Sequence, residues 1–140
     1  MKKRKPRTAF NSVMLVDDNE IDNFINERII AGAHFSKNVL IYSSGKSALE
    51  YLINILKTGQ QESIIFPEVI FLDINMPMMD GFQFMDEFNK LKNGMKKSPK
   101  VVVLTSSMNP IDKQKALHHS IQYFLNKPLS HVALAAILAY

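Results

Sequence analysis

Short, wholly apolar runs recur along the chain and alternate with longer stretches of helical period. The runs lie within Ser12–Asp17, Val39–Tyr42, Val69–Leu72, Lys100–Leu104 and Tyr123–Leu125. Val69-Ile70-Phe71-Leu72 and Val101-Val102-Val103-Leu104 carry no polar residue on either face, as strands buried on both sides do. Between them, Glu20–Ala31 places Ile21, Phe24, Ile25 and Ile29 at i, i+3, i+4 and i+8, with Arg28 among them and Gly32 as the stop. Ser44 is placed as an N-cap for a second helix with Ala48, Leu49, Leu52, Ile53 and Leu56 on its apolar face and Gly59 at its end. Gly81–Leu91 predicts a third helix with Phe84, Met85, Phe88 and Leu91 inward. Asn109-Pro110 starts a fourth, with proline at the first helical position, and Ser130 caps a last one running to about Leu138.

Five strands alternating with five helices predict an α/β fold, a parallel sheet covered on both faces and joined by right-handed crossovers. Gln60–Glu68 and Lys92–Pro99 are the longer connections. No internal repeat is present. Residues 1–11 read as a basic, flexible tail and 12–140 as the folded domain.

Composition narrows this little. At 140 residues, 46% hydrophobic and 21% charged, the chain has the make-up of one globular domain. With no cysteine, disulfides, thiolate chemistry and cysteine-ligated metals are excluded. No apolar run is long enough to span a bilayer and no signal-peptide core follows the basic start, so the expected setting is cytoplasmic, without a membrane partner. The formal net charge of +4 belongs to the tail. Lys2, Lys3, Arg4, Lys5 and Arg7 supply five of the seventeen basic residues, leaving twelve against thirteen acidic ones. Such a tail would touch an acidic partner, nucleic acid or only solvent.

The informative residues stand where the strands end. The first run ends on Asp17-Asp18, the third on Asp73, the fourth on Thr105-Ser106-Ser107, the fifth on Asn126-Lys127-Pro128. In an open parallel sheet these exits share one edge, where ligands bind. Three carboxylates brought together there would repel unless one is protonated or a cation enters. Hard oxygen donors with no His or Cys suit Mg²⁺ or Mn²⁺, and Mg²⁺ completes its shell with water and phosphate oxygens. The site therefore implies a phosphoryl group. Lys127 and Thr105 would face its oxygens, and Asp73, at the centre, is the candidate nucleophile. Taken singly, an Asp-Asp pair is a solvated turn, Thr-Ser-Ser a capping loop and Lys-Pro a turn. The pattern gains specificity from all of them in this order on successive strand ends.

These residues give the chain a resemblance to the receiver domain of two-component response regulators, as in chemotaxis-type single-domain regulators. The signatures are Asp17-Asp18, Leu72-Asp73-Ile74-Asn75-Met76-Pro77-Met78-Met79-Asp80-Gly81, Thr105-Ser106 and Lys127-Pro128, and the likeness runs from Ser12 to Leu138. The resemblance implies a flavodoxin-like, doubly wound sandwich with strand order 2-1-3-4-5. It implies that Asp73 accepts a phosphoryl group from the phosphohistidine of a histidine kinase or phosphotransfer protein. Asp18, Asp73 and the carbonyl of Asn75 would bind Mg²⁺ directly, Asp17 mainly through water. Lys127 would contact the phosphoryl group, Thr105 would move toward it, and Phe124 would be the aromatic switch, with Tyr123 on the opposite side of the strand. The Lys127-Pro128 bond is expected to be cis. The family often has Gly where Ser120 sits, so a reshaped turn is expected there. His118 and His119, near the end of the fourth helix, are expected to complement the helix C-terminus or to be plainly exposed rather than to bind a metal.

By the same resemblance the chain is a signalling phosphoacceptor that catalyses its own phosphorylation and dephosphorylation, a monomer or a phosphorylation-dependent dimer. It is expected to control a protein partner, without a DNA-binding domain of its own. The alternative is a receiver module cut from a larger regulator or hybrid kinase. A phosphohydrolase with an aspartyl-phosphate intermediate would need a general acid two residues after the nucleophile. That residue is Asn75, which cannot transfer the proton.

Overall fold

A computed structural model describes residues 8–59, 66–121 and 123–138. The basic residues read as a tail at positions 2–7, and positions 60–65 of the Gln60–Glu68 connection, lie outside the described residues.

The five strands are β1 (Phe10–Val16), β2 (Ser36–Tyr42), β3 (Val69–Leu72), β4 (Lys100–Thr105) and β5 (Tyr123–Asn126). They form one parallel sheet in the order β2-β1-β3-β4-β5, the expected topology. The helices are α1 (Glu20–Gly32), α2 (Gly45–Thr58), α3 (Gly81–Leu91), α4 (Pro110–His118) and α5 (His131–Leu138), with a 3₁₀ turn at Lys92–Gly94. β1 starts at Phe10, inside the stretch read as tail, because Phe10 and Ser12 pair with Ser36 and Asn38 of a longer β2. Among the described residues no helix is long and apolar enough to cross a membrane.

Alternation within the strands divides the core. Val13, Leu15, Val69, Phe71, Val102 and Leu104 face one layer with Ile30 of α1 and Leu134 and Ile137 of α5. Met14, Val16, Ile70, Leu72 and Val103 face the other, with α2 and α3 supplying Leu52, Phe84 and Phe88. Tyr123 packs on the first layer and Phe124 on the second, on opposite sides of β5 as expected.

Two helices depart from the periodic reading. In α2 it is Ile55, not Ile53, that is buried. In α1 the apolar stripe faces outward: Ile21 is 71% and Phe24 57% exposed. The inner face is Asn23, Asn26 and Ile30. The reason is what α1 covers. Its last turn lies on the sheet, but its first two lie over loops with free main-chain groups, which amides satisfy and isoleucines cannot. Asn23 Nδ2–H donates to the Asp17 carbonyl at 2.8 Å, and Asn26 Oδ1 accepts the Leu129 N–H at 3.0 Å.

Candidate functional site

The ends of β1, β3, β4 and β5 converge as the topology requires. Leu72 of β3 is in register with Val16 of β1 and Val103 of β4, so the next residues after β1 and β3, Asp17 and Asp73, emerge side by side. The Asp73 N–H donates to the Val16 carbonyl at 2.9 Å, continuing the ladder one step beyond the strand. The Lys127 N–H donates to the Thr105 carbonyl at 2.8 Å, fixing the lysine beside β4. The Lys127-Pro128 bond is cis.

Asp17, Asp18 and Asp73 come together: one oxygen from each lies within 4.8 Å of the others. Asp17 and Asp73 are buried, at 4% and 5% exposure, and Asp18 is exposed. Asp17 is heavily committed. Its Oδ1 accepts the Asn19 N–H at 2.9 Å and its Oδ2 lies 2.6 Å from Lys127 Nζ. Asp73 Oδ1 accepts the Asn75 N–H at 3.1 Å, and its Oδ2 is 3.6 Å from Lys127 Nζ. Burial, with help from the neighbouring Asp17 and Asp18 charges, outweighs the Asn75 hydrogen bond and Lys127 and raises the Asp73 pKa to about 6. Burial alone would lower the Lys127 pKa, but hydrogen bonds to Asp17 and Asp22 and the Asp73 charge more than reverse this. Lys127 is thus firmly cationic.

The donor set fits a hard divalent cation: carboxylate oxygens only, one of them solvent-facing, with no nitrogen or sulfur ligand in the group.

Thr105 is fully buried, and its Oγ1 is turned into its own loop. It accepts the Ser107 N–H at 3.2 Å and donates to the Ser107 carbonyl at 3.3 Å. Phe124 is half-buried against the α3 layer. Asp80 caps α3 in a reciprocal box with Gln83, and Gly81 brings that helix against the loop after β3. A Cβ on Gly81 would lie 2.7 Å from Ile74 Cα and 2.9 Å from the Asp73 carbonyl oxygen, so only glycine fits.

Two expectations are refined. Ser120 does not reshape its turn; it adopts the left-handed conformation itself, at φ 64°. His118 is exposed, but His119 bridges helices: Nε2 is 3.0 Å from Asp86 Oδ1 of α3, Nδ1 is 2.8 Å from the Lys115 carbonyl, and the ring lies 5.3 Å from that of Phe82.

A fourth carboxylate was missed. Asp22, in the first turn of α1, places Oδ2 2.9 Å from Lys127 Nζ. The signal for it was the spacing Asp22, Asn23, Asn26, a polar stripe at helical period that a search for apolar periodicity passes over.

The profile of the response regulator receiver domain matches residues 13–139. A two-component response regulator of Arabidopsis thaliana is 34% identical over 119 residues, covering 84% of this chain and 75% of that protein. The aerobic respiration control sensor protein of Escherichia coli is 30% identical over 133 residues, 95% of this chain but 15% of the sensor. The crystal structure of a two-component response regulator from Cytophaga hutchinsonii superposes with a TM-score of 0.80 at 32% identity, covering 95% of this chain and 98% of that one. With the sheet order, the carboxylate cluster and the lysine at the same edge, these matches establish that the chain belongs to the response regulator receiver domain family of two-component signalling.

Proposed function

We propose that Asp73 is the phosphoacceptor of this receiver and that the strand-end constellation both charges and discharges it. The observation that carries the reading is the position of Asp73: a buried carboxylate at the exit of β3, 3.6 Å from the Lys127 ammonium and beside two further carboxylates. A carboxylate oxygen of Asp73 would attack the phosphorus of a phosphohistidine on a histidine kinase or phosphotransfer protein. The P–O bond forms as the P–N bond breaks, and the imidazole leaves with the electron pair. Lys127 and Thr105 would take phosphoryl oxygens as charge spreads over them. Discharge is the same displacement by water, releasing inorganic phosphate and regenerating the carboxylate.

Asp18, Asp73 and the main-chain carbonyl of Asn75 would hold Mg²⁺ or Mn²⁺, with Asp17 acting through water. Bound there, the cation would neutralise the carboxylates and phosphoryl oxygens that otherwise repel. Movement of the Thr105 hydroxyl out of its loop toward the phosphoryl group would leave room for Phe124 to turn inward. That repacks the surface of α4, β5 and α5 that a protein partner reads. The domain runs from β1 through α5, and a cytoplasmic setting fits a partner kinase whose phosphohistidine faces the cytoplasm.

The test is intact-protein mass after acetyl phosphate treatment, with and without Mg²⁺. The expected result is one phosphoryl group gained only with Mg²⁺, and none in Asp73→Asn. An equal gain in Asp73→Asn would place the acceptor elsewhere.

A further inference from the structure

Lys127 is poised on the wrong carboxylates for a group that must greet a phosphoryl at Asp73. Its short contacts are 2.6 Å to Asp17 and 2.9 Å to Asp22, against 3.6 Å to Asp73. Asp17 belongs to the carboxylate cluster. Asp22 lies outside it and outside every motif of the strand ends. It accepts from Lys127 Nζ at 2.9 Å, across 105 residues of sequence.

The placement of Asp22 is imposed by its helix. The Asp22 N–H is capped by Asn19 Oδ1 at 3.0 Å. Asn23 and Asn26 tie the same two turns to the Asp17 carbonyl and the Leu129 N–H. α1 is therefore fastened to both loops that present Asp17 and Lys127, which keeps the Asp22 main chain within side-chain reach of the ammonium.

An ammonium is a single point charge with three N–H donors, and the short contacts to Asp17 and Asp22 draw it to those two carboxylates and leave Asp73 the long one, at 3.6 Å. We propose that Asp22 is a positioning residue for Lys127, holding the ammonium off Asp73 so that the site grips a phosphoryl group less tightly and a divalent cation more tightly. Two effects of one charge have opposite signs. Toward an incoming phosphoryl group, Asp22 engages the cation that should bind it and adds a like charge. Toward a divalent cation, it removes the competing ammonium from Asp73 and adds an opposite charge. A unit charge a few ångströms away in a partly solvated site changes each affinity roughly fivefold. This inference rests on the reading of Asp73 as phosphoacceptor.

The experiment compares wild type, Asp22→Asn, Asp22→Ser and Asp22→Glu. Mg²⁺ affinity is measured by calorimetry, and beryllofluoride affinity by fluorine NMR at saturating Mg²⁺. Asp22→Asn and Asp22→Ser are expected to bind beryllofluoride roughly fivefold tighter and Mg²⁺ roughly fivefold weaker, while Asp22→Glu, which keeps the charge, stays near wild type. A purely structural role for Asp22 would weaken both ligands together, and that outcome, or no change in either, overturns the proposal. Acetyl phosphate labelling of the wild type runs alongside. If the wild type takes no phosphoryl group, the reading of Asp73 itself fails and this inference with it. If it is labelled normally and the opposed shifts are missing, only the role of Asp22 fails.

Discussion

Asn26 and Leu129 are joined by a buried hydrogen bond of 3.0 Å, side-chain oxygen to main-chain N–H, across 103 residues. Leu129 follows the cis Lys127-Pro128 bond, so a residue in the middle of α1 fastens the loop that carries the lysine of the site. Asn26→Ala removes the acceptor and leaves a buried N–H unsatisfied. The expected cost is about 1–3 kcal/mol in urea unfolding, with a phosphorylation rate reduced along with stability. An unchanged unfolding midpoint would mean that water replaces the amide.

Asp73 sets a pH dependence whose sign is opposite to that of a salt-bridged carboxylate. Its pKa of about 6 in the folded chain lies above its ordinary value of 3.8, so the folded state binds the proton more tightly than the unfolded one. The stabilisation from this group is complete below pH 3.8 and is lost as pH rises through about 6. Asp73→Asn is therefore expected to match the wild type near pH 4 without added metal. Above pH 6 it should exceed it by on the order of 2 kcal/mol. Thermal unfolding across that range in chelator measures it, and added Mg²⁺ should close the gap by stabilising the wild type. A difference independent of pH would show that burial does not oppose ionisation here.

Gly81 is fixed by contact rather than by backbone angle. Its missing Cβ would stand 2.7 Å from Ile74 Cα and 2.9 Å from the Asp73 carbonyl oxygen, and main chain cannot give way as a flexible side chain would. Gly81→Ala should cost about 1–3 kcal/mol and shift the Asp73 loop. Acetyl phosphate labelling should fall more than the loss of folded protein accounts for.

Ser120 holds φ at 64°, a conformation disfavoured for a residue with a Cβ. Its N–H donates to the Leu117 carbonyl at 3.1 Å, closing α4 before β5. Glycine there relieves the strain, partly offset by the greater freedom of the unfolded chain. Ser120→Gly is expected to raise stability by about 0.5–1 kcal/mol, visible as a melting point a few degrees higher, with phosphorylation unchanged.

The alternation of apolar runs and helical periods determined the class of fold. Runs apolar on both faces can be buried only inside a two-sided parallel sheet, and each core layer uses alternate residues of these runs. The meeting of Asp17, Asp18, Asp73 and Lys127 was equally legible because strand exits share an edge, whereas the Thr105 hydroxyl stays bonded within its own loop. Which face of α1 turns inward was not legible. Hydrophobic period assigns a helix its core face on the assumption that it covers a sheet, and the first turns of α1 cover loops. There Asn23 and Asn26 answer main-chain groups, while Ile21 and Phe24 are left in solvent. The same tertiary fact brings Asp22 to Lys127. Local sequence fixes period and strand ends because both are properties of a few adjacent residues. The partner of a side chain 105 positions away is decided only when the helix is docked.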